Sequence, residues 1–200
     1  MSKKNITEPH KAFLAVLLML GAPVAWSGNI TGPKIAFVSW NDNTFDNIEG
    51  QQMTFRKNWN PAIGVEYMHI FDSNIAIGVE FQYHQADLVA ASFDPSPIYG
   101  YASVYQLFAT GSYFFPINEK TKPFVGFGLG VSSIGINTDY DATLNGYAFQ
   151  ANTGIEFKFT RRVGLTLGYK LSYVTADDSH NELATYMQEI NLRLNLYSAR

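Results

Sequence analysis

"RRVGLTLGYKLSYV", residues 161–174, alternates without a break. Val163, Leu165, Leu167, Tyr169, Leu171 and Tyr173 share one phase, and Gly164, Thr166, Gly168, Lys170 and Ser172 share the other. A period of two puts the two sets on opposite faces of a β-strand. The fold turns on which face meets water. Glycine on a solvated strand face costs entropy and packs nothing, so a water-facing glycine and lysine side is a poor design, whereas small residues have a use inside a narrow closed barrel.

The same period recurs along most of the chain and is interrupted by turn chemistry at fairly regular intervals. It reads as eight strands, over 33–41, 58–71, 74–87, 99–115, 123–138, 146–159, 162–175 and 183–197. The connections alternate in length. "FDSNI", "FPINEKTKP" and "FTRRV" are short, whereas 42–57, 88–98, 139–145 and 176–182 are longer and rich in Asp, Asn and Ser. In an up-and-down meander alternate connections lie at opposite ends, which gives one end with short turns and one with long polar loops. Bacterial outer-membrane barrels have that asymmetry, with the short turns periplasmic.

The apolar phase carries Ile63, Val65 and Tyr67 on the second strand, Ile75, Ile77, Val79, Phe81 and Tyr83 on the third, and Ile190, Leu192, Leu194 and Leu196 on the eighth. Phe71, Tyr113, Phe115, Phe157 and Phe159 fall beside the short turns. Tyr83, Tyr101, Tyr105, Tyr147, Phe149 and Tyr173 fall toward the long loops. Two aromatic belts around an aliphatic band match the two interfaces of a bilayer. The other phase is small, polar or charged, and it reads as the lining of a narrow, partly wet lumen. A soluble exported barrel with an apolar ligand cavity has the same periodicity, but it would put the belts inside and leave long loops at one end unexplained.

The N-terminus fits export. Lys3, Lys4 and Lys11 precede an apolar run from Ala12 to Leu20, and "AWS" places Ala25 and Ser27 as the small residues of a cleavage site. Residues 1–27 therefore read as a secretory signal peptide and 28–200 as one barrel domain. Removing the leader takes away three positive charges and one negative, so the formal charge goes from −3 to about −5; an acidic chain is a poor partner for nucleic acid. Cysteine is absent, so no disulfide holds the domain.

With a signal peptide, eight alternating strands and the glycine-alternating strand "PFVGFGLGVSS" (residues 123–133), the chain resembles the small outer-membrane barrels of the OmpA, OmpX and opacity-protein type. The resemblance implies an all-β, eight-stranded antiparallel up-and-down transmembrane β-barrel in the cell outer membrane. It also implies insertion by the barrel-assembly machinery and a monomer surrounded by outer-membrane lipid and lipopolysaccharide, whereas the periplasmic peptidoglycan-binding domain of the longer relatives is not expected here. Such barrels commonly finish on an aromatic in the lipid-facing phase; here Tyr197 is out of phase with Leu192, Leu194 and Leu196 and is followed by Ser198, Ala199 and Arg200.

Candidate chemistry is sparse. Gly126, Gly128 and Gly130 repeat every two residues within a strand and lack the helix a phosphate loop needs. His180 in "DDSHNE" reads as part of a polar loop and His84 as a satisfied rim or lumen residue. The Asp-rich loops lack calcium-loop spacing. No cofactor, metal or catalytic residue is expected. The chemistry that remains is a lumen charge network of Glu66, Glu80, Glu156, Lys158, Lys170, Glu189 and Arg193. If "DSN" is a three-residue turn, Glu66 and Glu80 lie opposite one another and repel. Arg193, at similar depth, is expected to reach both, with Lys170 and Glu189 as a second pair. These features together predict a non-enzymatic surface protein with a plugged lumen and four extracellular loops that contact host or other surface ligands. A lipid A-modifying enzyme is the alternative.

Overall fold

The computed structural model describes residues 28–41, 44–46, 52–71, 73–90, 98–137, 142–178 and 181–198. The expected signal peptide lies outside them. Eight strands form the staves: β1 (Asn29–Trp40), β4 (Trp59–Ile70), β5 (Ile75–Ala90), β6 (Ile98–Phe114), β7 (Thr121–Asn137), β8 (Ala142–Lys158), β9 (Val163–Asp178) and β10 (Asn181–Tyr197). Two short strands, β2 (Thr44–Asp46) and β3 (Gln52–Phe55), rise from the first outer connection. Each stave pairs antiparallel with its sequence neighbour, and β1 pairs with both β4 and β10, so the sheet closes with no free edge among the staves. Closure is what lets a sheet sit in lipid, where an unpaired backbone group costs several kcal/mol.

Three tight turns hold the inner end. Phe71 N donates to Ile75 O at 2.8 Å, and Asn74 takes the left-handed conformation (φ 62°) that such a turn requires. The Asn118 side chain accepts from the amides of Lys120 and Thr121, and the Thr160 hydroxyl accepts from those of Arg162 and Val163.

The outward phase is apolar and exposed: Ile63 is 61%, Phe127 66% and Leu167 51% accessible. Aromatic pairs sit at two levels. Tyr113 packs on Phe115 and His69 on Phe71 at the inner level, with Tyr83 on Tyr105 and Tyr173 on Tyr186 at the outer. Eight residues separate Tyr113 from Tyr105 on β6. At about 3.3 Å per residue and a tilt of about 40° they span roughly 20 Å of height, close to the ~25 Å apolar band of such barrels.

Strand boundaries differ from the sequence reading in an informative way. Residues 139–145 and 176–182 read as long polar loops, yet β8 begins at Ala142, β9 runs to Asp178 and β10 begins at Asn181. The last outer connection is thus only residues 179–180. The reason lies in the inward phase. Leu144, Val174, Ala176 and Leu183 are buried, while Thr143, Asn145, Thr175 and Asp177 face outward. Above the outer aromatic level the barrel wall stands in water, so it takes the ordinary soluble pattern of apolar inside and polar outside.

That correction extends to the lumen, which is not uniformly polar. Its outer part is an apolar core that includes Val38, Trp40, Phe55, Leu88, Val104, Phe108, Ile134 and Met187. β3 contributes Phe55, which stacks on Trp40 with centroids 4.3 Å apart and planes 12° off parallel. The register Phe55↔Leu88 places it above the start of β4. At the inner end Ile30, Met68, Ala76, Phe114 and Phe124 form a smaller apolar layer. The polar lumen lies between the two.

Candidate functional site

The three-residue turn after β4 fixes the register Glu66↔Glu80, so two carboxylates point into the lumen from adjacent strands. All seven residues of the expected network are on the inward phase, but the structure distributes them over separate tiers.

In one tier Arg193 pairs with Glu66. Its Nε donates to Asn195 Oδ1 at 2.8 Å, a second guanidinium nitrogen reaches Thr166 Oγ1 at 3.3 Å, and Asn195 Nδ2 donates to the same hydroxyl at 2.8 Å. Arg193 does not reach Glu80, contrary to expectation. Glu80 is held instead by Lys34 and Lys170.

The second tier contains those two lysines with Glu80, Glu189 and Gln82. Lys34 Nζ donates to Glu80 Oε1, to Gln82 Oε1 at 2.7 Å and to Glu189 Oε1 at 2.9 Å. Lys170 Nζ donates to Glu80 Oε1 at 2.9 Å and Gln82 Oε1 at 2.6 Å, and lies 2.9 Å from Glu189 Oε2. An ammonium has three N–H donors; Lys34 donates all three to these side chains, and Lys170 donates two while ion-pairing with Glu189. Gln150 adds a bond to Glu80 Oε2 at 3.0 Å, and Asn191 adds one to Glu189 Oε1 at 3.0 Å. Both charged tiers are neutral in sum, three cations facing three carboxylates, so their mutual attraction offsets the desolvation cost of burying the ions.

Lys34 was missed from sequence. It alternates with Ala36 and Val38 on the inward phase of β1, so a lone lysine on that phase was the available signal. Glu156 and Lys158 belong to neither tier. They lie nearer the short-turn mouth, where Lys158 Nζ sits 4.6 Å from the centre of the Tyr197 ring. Tyr197, out of phase with the lipid-facing leucines, points inward as its position in the alternation requires.

Above the charged tiers, His84 Nε2 accepts a 3.1 Å hydrogen bond from Trp40 Nε1, and the imidazole is buried. His180 and the expected polar outer loops lie largely outside the described residues. Among the described residues no group of three or more His, Asp or Glu side chains could hold a metal ion. A cavity of about 20 Å³ remains beside Glu66, Glu80, Lys170 and Arg193, space for roughly one water molecule. The arrangement is chemically a seal: the cations and carboxylates of the tiers pair with one another, the outer apolar core covers them, and buried amide atoms such as Gln82 Nε2 and Gln150 Oε1 are left without a hydrogen-bond partner.

An outer membrane protein β-barrel domain model matches residues 12–196. The chain belongs to that family. This barrel is an outer-membrane protein, and its fold recurs in solved structures of low sequence identity. Neisserial surface protein A is 14% identical with a TM-score of 0.63, the alignment covering 86% of this chain and 98% of that one. OprG from Pseudomonas aeruginosa is 10% identical with a TM-score of 0.60, covering 86% and 97% respectively. No curated protein matches the sequence.

Proposed function

We propose that this barrel is a non-enzymatic surface protein, a plugged scaffold that presents its outer connections to host or other surface ligands. The observation that carries the reading is the closed lumen. Two neutral ionic tiers lie beneath an apolar core that continues above the outer aromatic level, so the barrel projects from the membrane as a stiff collar. Loops mounted on a rigid collar are suited to recognition. Enzymes and non-enzymes share barrels of this size, so the fold alone does not choose. Among the described residues the two histidines support this reading: His84 is sealed against Trp40, and His69 bonds Asn29 at the inner end. In this proposal the protein works as a monomer in outer-membrane lipid and lipopolysaccharide, is inserted by the barrel-assembly machinery and has no nucleic-acid partner.

The test has two parts. Lipid A mass spectra from cells with and without the gene should be identical; a changed acyl pattern would favour the enzyme. Replacing 91–97 and 138–141 with Gly-Ser segments should abolish attachment of expressing cells to a host-cell monolayer while leaving the amount of folded barrel unchanged. Steady large conductance in planar bilayers would count against the closed lumen.

A further inference from the structure

The short-turn mouth of the barrel contains a cavity of about 610 Å³ whose charge contradicts the composition of the chain. The protein is acidic overall, with a formal charge of −3, yet this cavity is lined by Lys122, Lys158, Arg161 and Arg162. Among the described residues no carboxylate lies within ion-pairing distance of any of the four; the ion pairs present join Lys34, Lys170 and Arg193 to Glu66, Glu80 and Glu189 in the tiers above. Lys158 rests on the Tyr197 ring, which steadies the ammonium without neutralising it. Arg161 and Arg162 stand on the β8–β9 turn, whose backbone is fixed by the Thr160 hydroxyl and by Tyr197 N donating to Arg162 O at 2.9 Å.

One acid shares the cavity. Glu156 is 3% exposed, and its Oε2 has no hydrogen-bond partner. Its Cα partner across the strand pair is Lys122, but the two side chains do not meet. The Tyr197 hydroxyl lies beside this carboxylate, and both residues form part of the cavity wall. Four cations against one carboxylate leave a surplus of three positive charges. Two planar guanidiniums among them can each set paired N–H donors against the oxygens of a tetrahedral phosphate, which offers more acceptors than a carboxylate does.

We propose that this mouth binds a phosphate ester. Its phosphate is held by Lys158, Arg161, Arg162 and Lys122. In bacterial outer-membrane barrels the short-turn end faces the periplasm, so such an ester can arrive in either of two forms: as the headgroup of an inner-leaflet phospholipid or as a soluble compound. The site is independent of the outer connections and of the surface role proposed for them.

The experiment uses refolded protein in nonionic micelles, titrated with glycerol 3-phosphate and followed by ³¹P NMR, and in parallel the same micelles doped with phosphatidylglycerol, with retained lipid counted by native mass spectrometry. Saturable binding in at least one arm is expected. Binding in both identifies a soluble ester as sufficient, and binding in the lipid arm alone identifies the headgroup. Lys158→Gln/Arg162→Gln should weaken binding at least tenfold, and Lys122→Gln/Arg161→Gln provides a second variant should the first fail to fold by circular dichroism. Arg56→Gln/Lys57→Gln removes the same charge at the opposite end and should change the affinity less than twofold. Absence of saturable binding in both arms, or equal weakening at the two ends, would overturn the proposal.

Discussion

Arg193→Ala isolates the ion pair that stands most nearly alone. Arg193 is 3% exposed and Glu66 7%, and Glu66 has no second cation among the described residues, because Lys34 and Lys170 are committed to Glu80 and Glu189. Removing the guanidinium leaves Thr166 and Asn195 bonded to each other at 2.8 Å, so most of the loss falls on the unpaired carboxylate. Breaking a buried pair in this way costs about 3–5 kcal/mol. Lys158→Ala removes an equal charge that has only an aromatic face as partner and should cost about 1 kcal/mol or less. Equilibrium urea unfolding in zwitterionic lipid vesicles, read by the fluorescence of buried Trp40, measures both. Adding Glu66→Gln to the Arg193→Ala background should recover at least half of the loss, since a neutral amide replaces the stranded charge. The reasoning fails if Arg193→Ala costs no more than Lys158→Ala, or if Glu66→Gln makes the variant worse.

Three further outcomes follow from the partition of the barrel. Leu183→Ala, in the outer apolar core, should cost about 2–5 kcal/mol by leaving a cavity, whereas Leu192→Ala, 37% exposed on the lipid face, should cost less than half as much; equal losses in the same urea titration would contradict an enclosed outer core. Leu167→Arg, on the lipid face near mid-depth, should cost about 2–4 kcal/mol, and Gly168→Ser should be milder because the three atoms nearest a new Cβ all belong to the Asn191 side chain, the nearest at 2.7 Å, whose amide end can shift aside; refolding yields into vesicles compare them, and a reversed order would invert the facing of β9. External protease on intact cells should cut in the outer connections and spare the short turn at Asn118–Lys120, with mass spectrometry of the fragments as the readout; a cut at Lys120 would reverse the orientation.

The two-residue period, the lipid-facing set and the membership of the outer-membrane barrel class were legible in the sequence because they depend on local alternation and on the medium outside the wall. The opposition of Glu66 and Glu80 was legible too, since a tight turn sets the register of the two strands it joins. What tertiary structure alone decided are the contacts across the lumen. Whether Arg193 or Lys34 meets Glu80 depends on barrel stagger and closure, which no single strand encodes, and β1 donates Lys34 from far away in the chain. The apolar outer core escaped notice for a related reason. Thr143, Asn145, Thr175 and Asp177 have loop-like composition, but they are the outward phase of strands that have left the bilayer. Sequence carries the alternation; the height at which lipid gives way to water, and therefore which phase must be apolar, is a property of the assembled barrel.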